Sequence, residues 1–296
     1  MKILITGSSG FIGSALKAFL EQKEIEVIPF DIKDSPKYDI RDFESIKKSS
    51  LDVIGIIHLA AISRVFTAQE QPHECITTNV GGVSNVLEAA RINDKRPWII
   101  FGSSREVYGE PKILPVSENS PKIPINIYGL SKVTGEKLCE TYTKYYGLKI
   151  RILRFSNVYT GVKDHMDRVT PKFILRALNG QDLYINGSGE EQFDFTYISD
   201  TIKGVWGCIK EIENNKTPLD DFNLSIGTPV SLRQLAEIII EKTGSKSTIR
   251  FNESRKYDVN HFYATPKKAI EYLGFEPSIS IQEGIELAIK DLKNLL

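Results

Sequence analysis

The stretch that most limits what this chain can fold into is Ile3-Leu4-Ile5-Thr6-Gly7-Ser8-Ser9-Gly10-Phe11-Ile12-Gly13. Its apolar start reads as a short buried parallel strand, and a helical pattern follows from Ser14 to Gln22. Between them stand Gly7, Gly10 and Gly13. Glycines at such a turn let the backbone come close to a pyrophosphate, and the amides opening the next helix carry partial positive charge toward it. The first gap is one residue longer than in the usual dinucleotide fingerprint. A strand before the turn and a helix after it point to an α/β fold: a Rossmann-type doubly wound parallel sheet.

The alternation continues downstream. Val27 to Phe30 reads as a second strand ending at Asp31, placed to accept both ribose hydroxyls of an adenosine. Its charge would repel a 2′-phosphate, which favours NAD over NADP, although Lys33 nearby weakens that preference. Asp39-Ile40-Arg41-Asp42 opens another connection, beside an adenine or as a solvated helix start. Val53 to Ala61 is a further buried strand, and Leu59, Ala60 and Ala61 at its end leave room for a cofactor. His58 reads as a packed, structural histidine. Asn79 opens an amphipathic helix, Val80 to Arg91, with helix capping as its plain account. Trp98 to Phe101 is a strand running into Gly102-Ser103-Ser104-Arg105-Glu106, so hydroxyls and a carboxylate stand where an open α/β sheet does its chemistry. Gly109 to Ile127 is a surface loop.

Tyr128 and Lys132 lie four residues apart on the next helix and share one face. An ammonium beside a phenol favours the phenolate, so the tyrosine is expected to titrate well below its ordinary value of about 10. It could then take a proton from a sugar hydroxyl, with Ser104 bonding the same oxygen. Leu148 to Phe155 is a strand ending near Asn157. Beyond about Thr160 the pattern loosens. Helices are expected over Pro171–Asn179, Ser199–Ile212 and, capped by Ser231, through Thr243. Short strands are expected at Asp182–Ile185 and Gln192–Ile198 around the turn Asn186 to Gly189, and at Asn223–Ile226. Two short helices close the chain between Thr265 and Leu296. The expected division is a cofactor domain of residues 1–159 with returning segments near 197–226, and a smaller mixed α/β substrate domain of 160–196 and 227–296. The second is expected to lack a core able to stand alone and to close a cleft against the first.

Charge and cysteines narrow the classes of partner. Lys plus Arg and Asp plus Glu number 38 each, a formal net charge of +0, which argues against a nucleic-acid surface. Cys75, Cys139 and Cys208 are odd in number and without metal-ligand spacing, as in reduced thiols of a cytoplasmic protein with no metal site. No run approaches the roughly 20 apolar residues needed to cross a membrane, and the N-terminus lacks a signal peptide's apolar region.

Taken together, the chain resembles the extended short-chain dehydrogenase/reductase family, specifically its nucleotide-sugar epimerases and dehydratases. The resemblance is carried by Gly7 to Gly13, Asp31, Asp39-Ile40-Arg41, His58 to Ala61, Asn79-Val80, Ser103-Ser104, Val107-Tyr108-Gly109, Tyr128 to Lys132, Arg154, Asn157-Val158-Tyr159, Asp194 to Asp200 and Arg255 to Asp258. It implies that Gly7, Gly10, Phe11, Ile12 and Gly13 seat the NAD pyrophosphate. Asp31, Asp39, Ile40, Leu59, Ala60, Ala61 and Asn79 are the further cofactor contacts. Tyr128 is the implied base, Lys132 its support and nicotinamide-ribose contact, and Ser104 shares the proton path. Asn157 and Arg255 would meet the sugar diphosphate. Where the family usually has an arginine before the late Asp-Phe pair, this chain has Phe193, so either Arg168, Lys172 or Arg255 compensates or the substrate differs.

The implied reaction is 4-epimerisation of a nucleotide-diphosphate sugar through a 4-keto sugar. A 4,6-dehydratase or uronic-acid decarboxylase would use Glu106 as base; a salt bridge to Arg105, Lys112 or another surface base is its plain account. The adjacent Arg105 cannot donate a proton near neutral pH, because guanidinium does not titrate there. The family also implies a homodimer built on the helices around Val83–Arg91 and Lys132–Tyr146. A non-catalytic NAD-binding scaffold is the alternative from another class.

Overall fold

The structure, a computed structural model, describes residues 1–294. Strands β1 (Lys2–Thr6), β2 (Glu26–Phe30), β3 (Gly55–His58), β4 (Trp98–Ser104) and β5 (Ile150–Phe155) alternate with helices α1 (Phe11–Gln22), α2 (Phe43–Ser49), α3 (Val65–Glu70), α4 (Pro72–Ile92) and α5 (Ile127–Tyr146). The second half adds α6 (Val169–Leu178), β6 (Leu183–Asn186), β7 (Gln192–Asp194), α7 (Ile198–Asn214), β8 (Leu219–Leu224), β9 (Pro229–Ser231), α8 (Leu232–Thr243), β10 (Ile249–Asn252), β11 (His261–Phe262), α9 (Lys267–Leu273) and α10 (Ile281–Lys293).

Six strands form one sheet in the order β2-β1-β3-β4-β5-β8, and every pairing in it is parallel. Both faces are covered, so its strands are apolar on both sides. On β5, Ile150 and Ile152 pack toward α4 and α5, while Leu153 and Phe155 pack toward α1 and α7. The two buried arginines of β5 obey the same period: Arg154 meets Glu136 of α5, and Arg151 meets Glu211 of α7. Chain direction across the sheet reverses between β1 and β3. A crevice therefore opens at the carboxyl ends of the strands, where the turns after β1 to β5 converge.

Two expectations need correction. The helix expected from Asn79 begins at Pro72, so Asn79 lies inside α4 and caps nothing; proline at the first helical position supplies the start signal. The short strands expected around Asn186–Gly189 are present, β6 pairing in parallel with β10, and β7 lying between β9 and β11. Between them the Glu191 carboxylate accepts the Ser188 and Gly189 amides and turns the chain away. The strand expected through Ile198 stops at Asp194, three residues short of the turn into α7, which Tyr197 opens and Ile198 begins. The second half contributes most of a core that it shares with the first half. Phe173, Ile174 and Ala177 of α6, Leu235, Ala236 and Ile239 of α8, and Ile285, Ala288, Ile289 and Leu292 of α10 turn apolar faces onto one cluster, joined by Val107, Tyr108 and Val116 from the first half. Three helical stripes at three- and four-residue spacing suffice to build it. Ser231 caps α8 as expected, in a reciprocal capping box with Gln234. Of the closing segment, Leu295 and Leu296 lie outside the described residues.

Candidate active site

The turns after β1 to β5 line one side of a cleft of about 760 Å³, and α6, the end of β6 and residues 254–260 line the other. Gly7 has φ +73°, and a Cβ there would stand 2.7 Å from Ala60 N and 2.9 Å from the Leu59 carbonyl carbon. The first glycine turn can therefore press against the tip of β3 only without a side chain. Gly7, Gly10, Phe11, Ile12, Gly13, Asp31, Asp39, Ile40, Leu59, Ala60 and Ala61 all line this end of the cleft. The Asp31 carboxylate accepts Ser9 N at 3.0 Å and Lys33 N at 2.9 Å, which fixes it beside the glycine turn. Asp39 pairs with Arg41, whose guanidinium holds the carboxyl below its usual range. Asp42, in contrast, caps α2. A bare backbone turn, a fixed carboxylate one strand over and small strand tips fit a dinucleotide.

Asn79 is not among the residues that line the cleft. It is buried, accepting Ile62 N at 2.8 Å and donating to Ile62 O at 3.1 Å and Ser131 Oγ at 2.9 Å. It ties the loop after β3 to α5 instead of facing a ligand. His58 is packed as expected: burial lowers its pKa to about 3, and its Nδ1 shares a hydrogen bond of 2.7 Å with Thr6 Oγ1.

Ser104, Arg105, Glu106, Tyr128 and Lys132 meet midway along the cleft. Asn126 starts the helix that carries the last two, its side-chain oxygen accepting Gly129 N at 2.8 Å. At Gly129 a Cβ would lie 2.5 Å from Glu106 O, so α5 can approach the turn after β4 this closely only because that residue is glycine. Lys132 Nζ donates to Gly102 O at 2.8 Å and stands 5.8 Å from the Tyr128 ring centroid. The expected fall in the tyrosine's pKa does not appear. Burial raises the phenol well above its ordinary range, and the hydrogen bond with the Ser104 hydroxyl, which acts the other way, does not offset it. Burial also lowers the Lys132 ammonium to about 8. With both groups desolvated in this apolar setting, each is pushed toward its neutral form.

Glu106 has a partner at each carboxylate oxygen. One oxygen pairs with Arg105 Nη2 at 2.9 Å, and the other accepts Asn126 Nδ2 at 2.8 Å. The Arg105 guanidinium lies 4.8 Å from the Phe193 ring centroid and 5.6 Å from that of Phe262. Phe193 thus forms a wall that seats a cation, although it carries none. Arg168 lies over Phe11 at 5.9 Å and donates to Val158 O and Asp164. Arg255 pairs with Asp258 at 2.7 Å. Asn157, at φ +31°, is one of the few non-glycine residues with positive φ, and its side chain donates to Asp194 O at 3.1 Å. Asparagine tolerates this conformation better than most residues. Arg168, Lys172, Arg255, Asn157 and Phe193 all line the cleft.

Two features went unread in the sequence. Asn126 joins the start of α5 to Glu106, and its place just before a helix was an available capping signal. Arg64 and Asp167 form a two-pronged pair at 2.7 Å between the loop after β3 and the segment before α6. Nothing local announces that contact.

No helix of the described residues is long and apolar enough to cross a membrane. The model of the NAD dependent epimerase/dehydratase family matches residues 3–225. A putative UDP-glucose 4-epimerase of Methanocaldococcus jannaschii is 34% identical over 99% of this chain and 98% of its own length. UDP-glucuronic acid decarboxylase 1 of Xenopus tropicalis is 29% identical over 97% of this chain and 71% of its own. Among solved structures, the UDP-glucose 4-epimerase of Thermotoga maritima with UDP-glucose superposes with a TM-score of 0.92 at 29% identity, covering 100% of this chain and 99% of that one. The Rossmann-type sheet, the cleft at its strand ends and these likenesses lead to one conclusion: the chain is an enzyme of the NAD-dependent epimerase/dehydratase family, in the extended short-chain dehydrogenase/reductase group, with NAD as its cofactor.

Proposed function

We propose that this enzyme interconverts nucleotide-diphosphate sugars that differ in configuration at C4. Residues 1–159 with 197–226 would serve the cofactor, and 160–196 with 227–296 the sugar nucleotide. NAD supplies reversible oxidation of the sugar carbon, and Gly7 to Gly13, Asp31 and Lys132 would hold it. Tyr128 would take the proton from the C4 hydroxyl and return it, Ser104 would fix that oxygen, and Lys132 would supply the positive charge a phenolate needs. Arg168, Lys172, Arg255 and Asn157 would bind the diphosphate and its sugar.

The state of Glu106 supports epimerisation over elimination. A dehydratase or decarboxylase would need that carboxylate free to act beside the sugar, and here both its oxygens are occupied by Arg105 and Asn126. Epimerisation requires no group beyond Tyr128, Ser104 and Lys132. The test is to incubate the NAD-loaded enzyme with UDP-, dTDP-, GDP- and CDP-hexoses and with a UDP-hexuronic acid, then separate and weigh the products. An isomer of unchanged mass is expected. Loss of water would establish a dehydratase, and loss of carbon dioxide a decarboxylase.

Asp31→Ala should weaken NAD binding about 10- to 100-fold, the loss of hydrogen bonds to a charged acceptor. Titration calorimetry on cofactor-stripped protein reads this directly, and unchanged affinity would remove Asp31 from the ribose site. The homodimer reading is supported by α4 and α5, which pack side by side with Leu130, Tyr145 and Tyr146 exposed. A cytoplasmic setting is supported by the three unpaired, buried cysteines.

A further inference from the structure

Arg64 stands at the start of α3, on the turn after β3, and Asp167 stands just before Arg168, which opens α6. Both line the cleft. The guanidinium meets the carboxylate as a fork, Nη1 on Oδ1 and Nη2 on Oδ2, at 2.7 Å each. Burial depresses the arginine's pKa, Asp167 opposes that, and the guanidiniums of Arg168 and Arg255 are near enough to add to it. Three arginines thus gather in one part of the cleft, and Phe193, which also lines it, brings no charge.

Each of these arginines has an aspartate: Asp167 for Arg64, Asp164 for Arg168 and Asp258 for Arg255. The three carboxylates differ in hydration, their side chains being 70%, 0% and 29% exposed in that order. Asp164 cannot let go without stranding a buried charge, and it also accepts His165 N at 2.7 Å. Asp167 is already mostly in water, so it loses little when its partner leaves. The Arg64 guanidinium is the drier member, 25% exposed, and needs an anion wherever it turns. A diphosphate offers the same fork two charged oxygens, and it carries more negative charge than the carboxylate it replaces. Of the three arginines, Arg64 is therefore the one whose protein partner a phosphate group displaces most readily.

We infer that Arg64 is a further diphosphate-binding residue of the substrate site, kept in position by Asp167 and released by it to the sugar nucleotide. This inference rests on the reading of the substrate as a nucleotide-diphosphate sugar. It gives the two members of the pair opposite effects: Arg64 contributes to binding, and Asp167 competes with the ligand. A pair that only fastened the rim of the cleft would give both members the same sign.

The experiment is calorimetric binding of UDP, dTDP, GDP and CDP to NAD-loaded wild type, Arg64→Met, Asp167→Asn and the double variant, with NAD binding to cofactor-stripped protein as a separate arm. For the nucleoside diphosphate that wild type binds most tightly, Arg64→Met should weaken binding about 10- to 100-fold, as for loss of charge-assisted hydrogen bonds. Asp167→Asn should tighten it about two- to fivefold, the weight of an exposed pair. In the double variant the asparagine should add nothing, because its effect runs through Arg64. NAD affinity should be unchanged in Arg64→Met.

An Asp167→Asn variant that fails to tighten binding, or an Arg64→Met variant that fails to weaken it, overturns the inference. Loss of NAD affinity in place of nucleoside diphosphate affinity moves Arg64 to the cofactor's pyrophosphate and overturns it too. Failure of all four nucleoside diphosphates to bind wild type overturns the substrate reading and this inference with it. The expected pattern without isomerisation of any sugar upholds Arg64 and overturns the C4 reading. Should Arg64→Met fail to fold, Asp167→Asn decides, since its side chain lies mostly in water and tightening is expected only where a competing carboxylate is removed.

Discussion

Replacing Tyr128 by phenylalanine is expected to lower turnover about 10²- to 10⁴-fold, the usual contribution of a positioned acid–base group, with NAD still bound and the fold intact. The ring can stay where it is. It packs with Ala68 and Cys75 at the foot of α3 and α4, and phenylalanine fills the same space. Only the hydroxyl beside Ser104 is lost. Ser104→Ala should cost less, since it removes a bonding partner and leaves the base. Lys132→Met should lose turnover and also weaken cofactor binding, because the same ammonium would serve the phenol and the nicotinamide ribose. Turnover is followed by chromatographic separation of the two isomers, and NAD content by absorbance after denaturing the protein. A phenylalanine variant within tenfold of wild type would falsify the assignment of the base.

Much of this site could be read without coordinates because its signals are local. The glycine turn between β1 and α1, the acidic residue closing β2 and the Tyr128–Lys132 spacing each lie within a few residues, so chain geometry alone brings them together. The parallel sheet then carries them to one edge, since every strand in it ends on the same side. What resisted reading depends on distant partners. Spacing announced that Lys132 neighbours Tyr128 but said nothing of how completely the fold dries both groups, and drying dominates their titration. Asn79 looked like a cap because it precedes an apolar run. Its true partners, Ile62 and Ser131, belong to other elements. The turn after Asn186 was legible from its residues. Which strands its flanks join was not, because Glu191 captures the turn's amides and β10 takes the edge of β6. For Glu106 the adjacent Arg105 announced the salt bridge that forms, and only the bond from distant Asn126 to its other oxygen was unreadable.

The largest expected loss of stability comes from Glu136→Ala, about 3–5 kcal/mol, the range for removing one member of a buried ion pair. Glu136 sits one turn beyond Lys132 on α5, and Arg154 projects from β5 toward it. Arg154 Nε and Nη2 meet the two carboxylate oxygens at 2.8 Å each, a parallel fork, and both side chains are 1% exposed. The carboxylate also accepts Ser103 Oγ at 2.6 Å. The remaining prongs of Arg154 reach the Tyr108 hydroxyl at 2.9 Å and Asp221 at 2.6 Å. One buried cluster thus bolts α5 to β4 and β5 directly beneath the residues that would move the proton. Alanine at 136 would leave Arg154 dry with Asp221 as its one remaining carboxylate. Urea unfolding at fixed NAD concentration measures the loss. Glu136→Leu combined with Arg154→Met should recover most of it, because apolar pairs of similar volume often replace buried ion pairs without penalty. Activity should not recover with it. Ser103 would have lost the carboxylate it bonds, Tyr108 would keep only Asn223, and α5 would no longer be held in register with Ser104. Stability restored together with full turnover would show that the pair serves the fold alone; a Glu136→Ala variant within about 1 kcal/mol of wild type, the level of an exposed pair, would show that it serves neither.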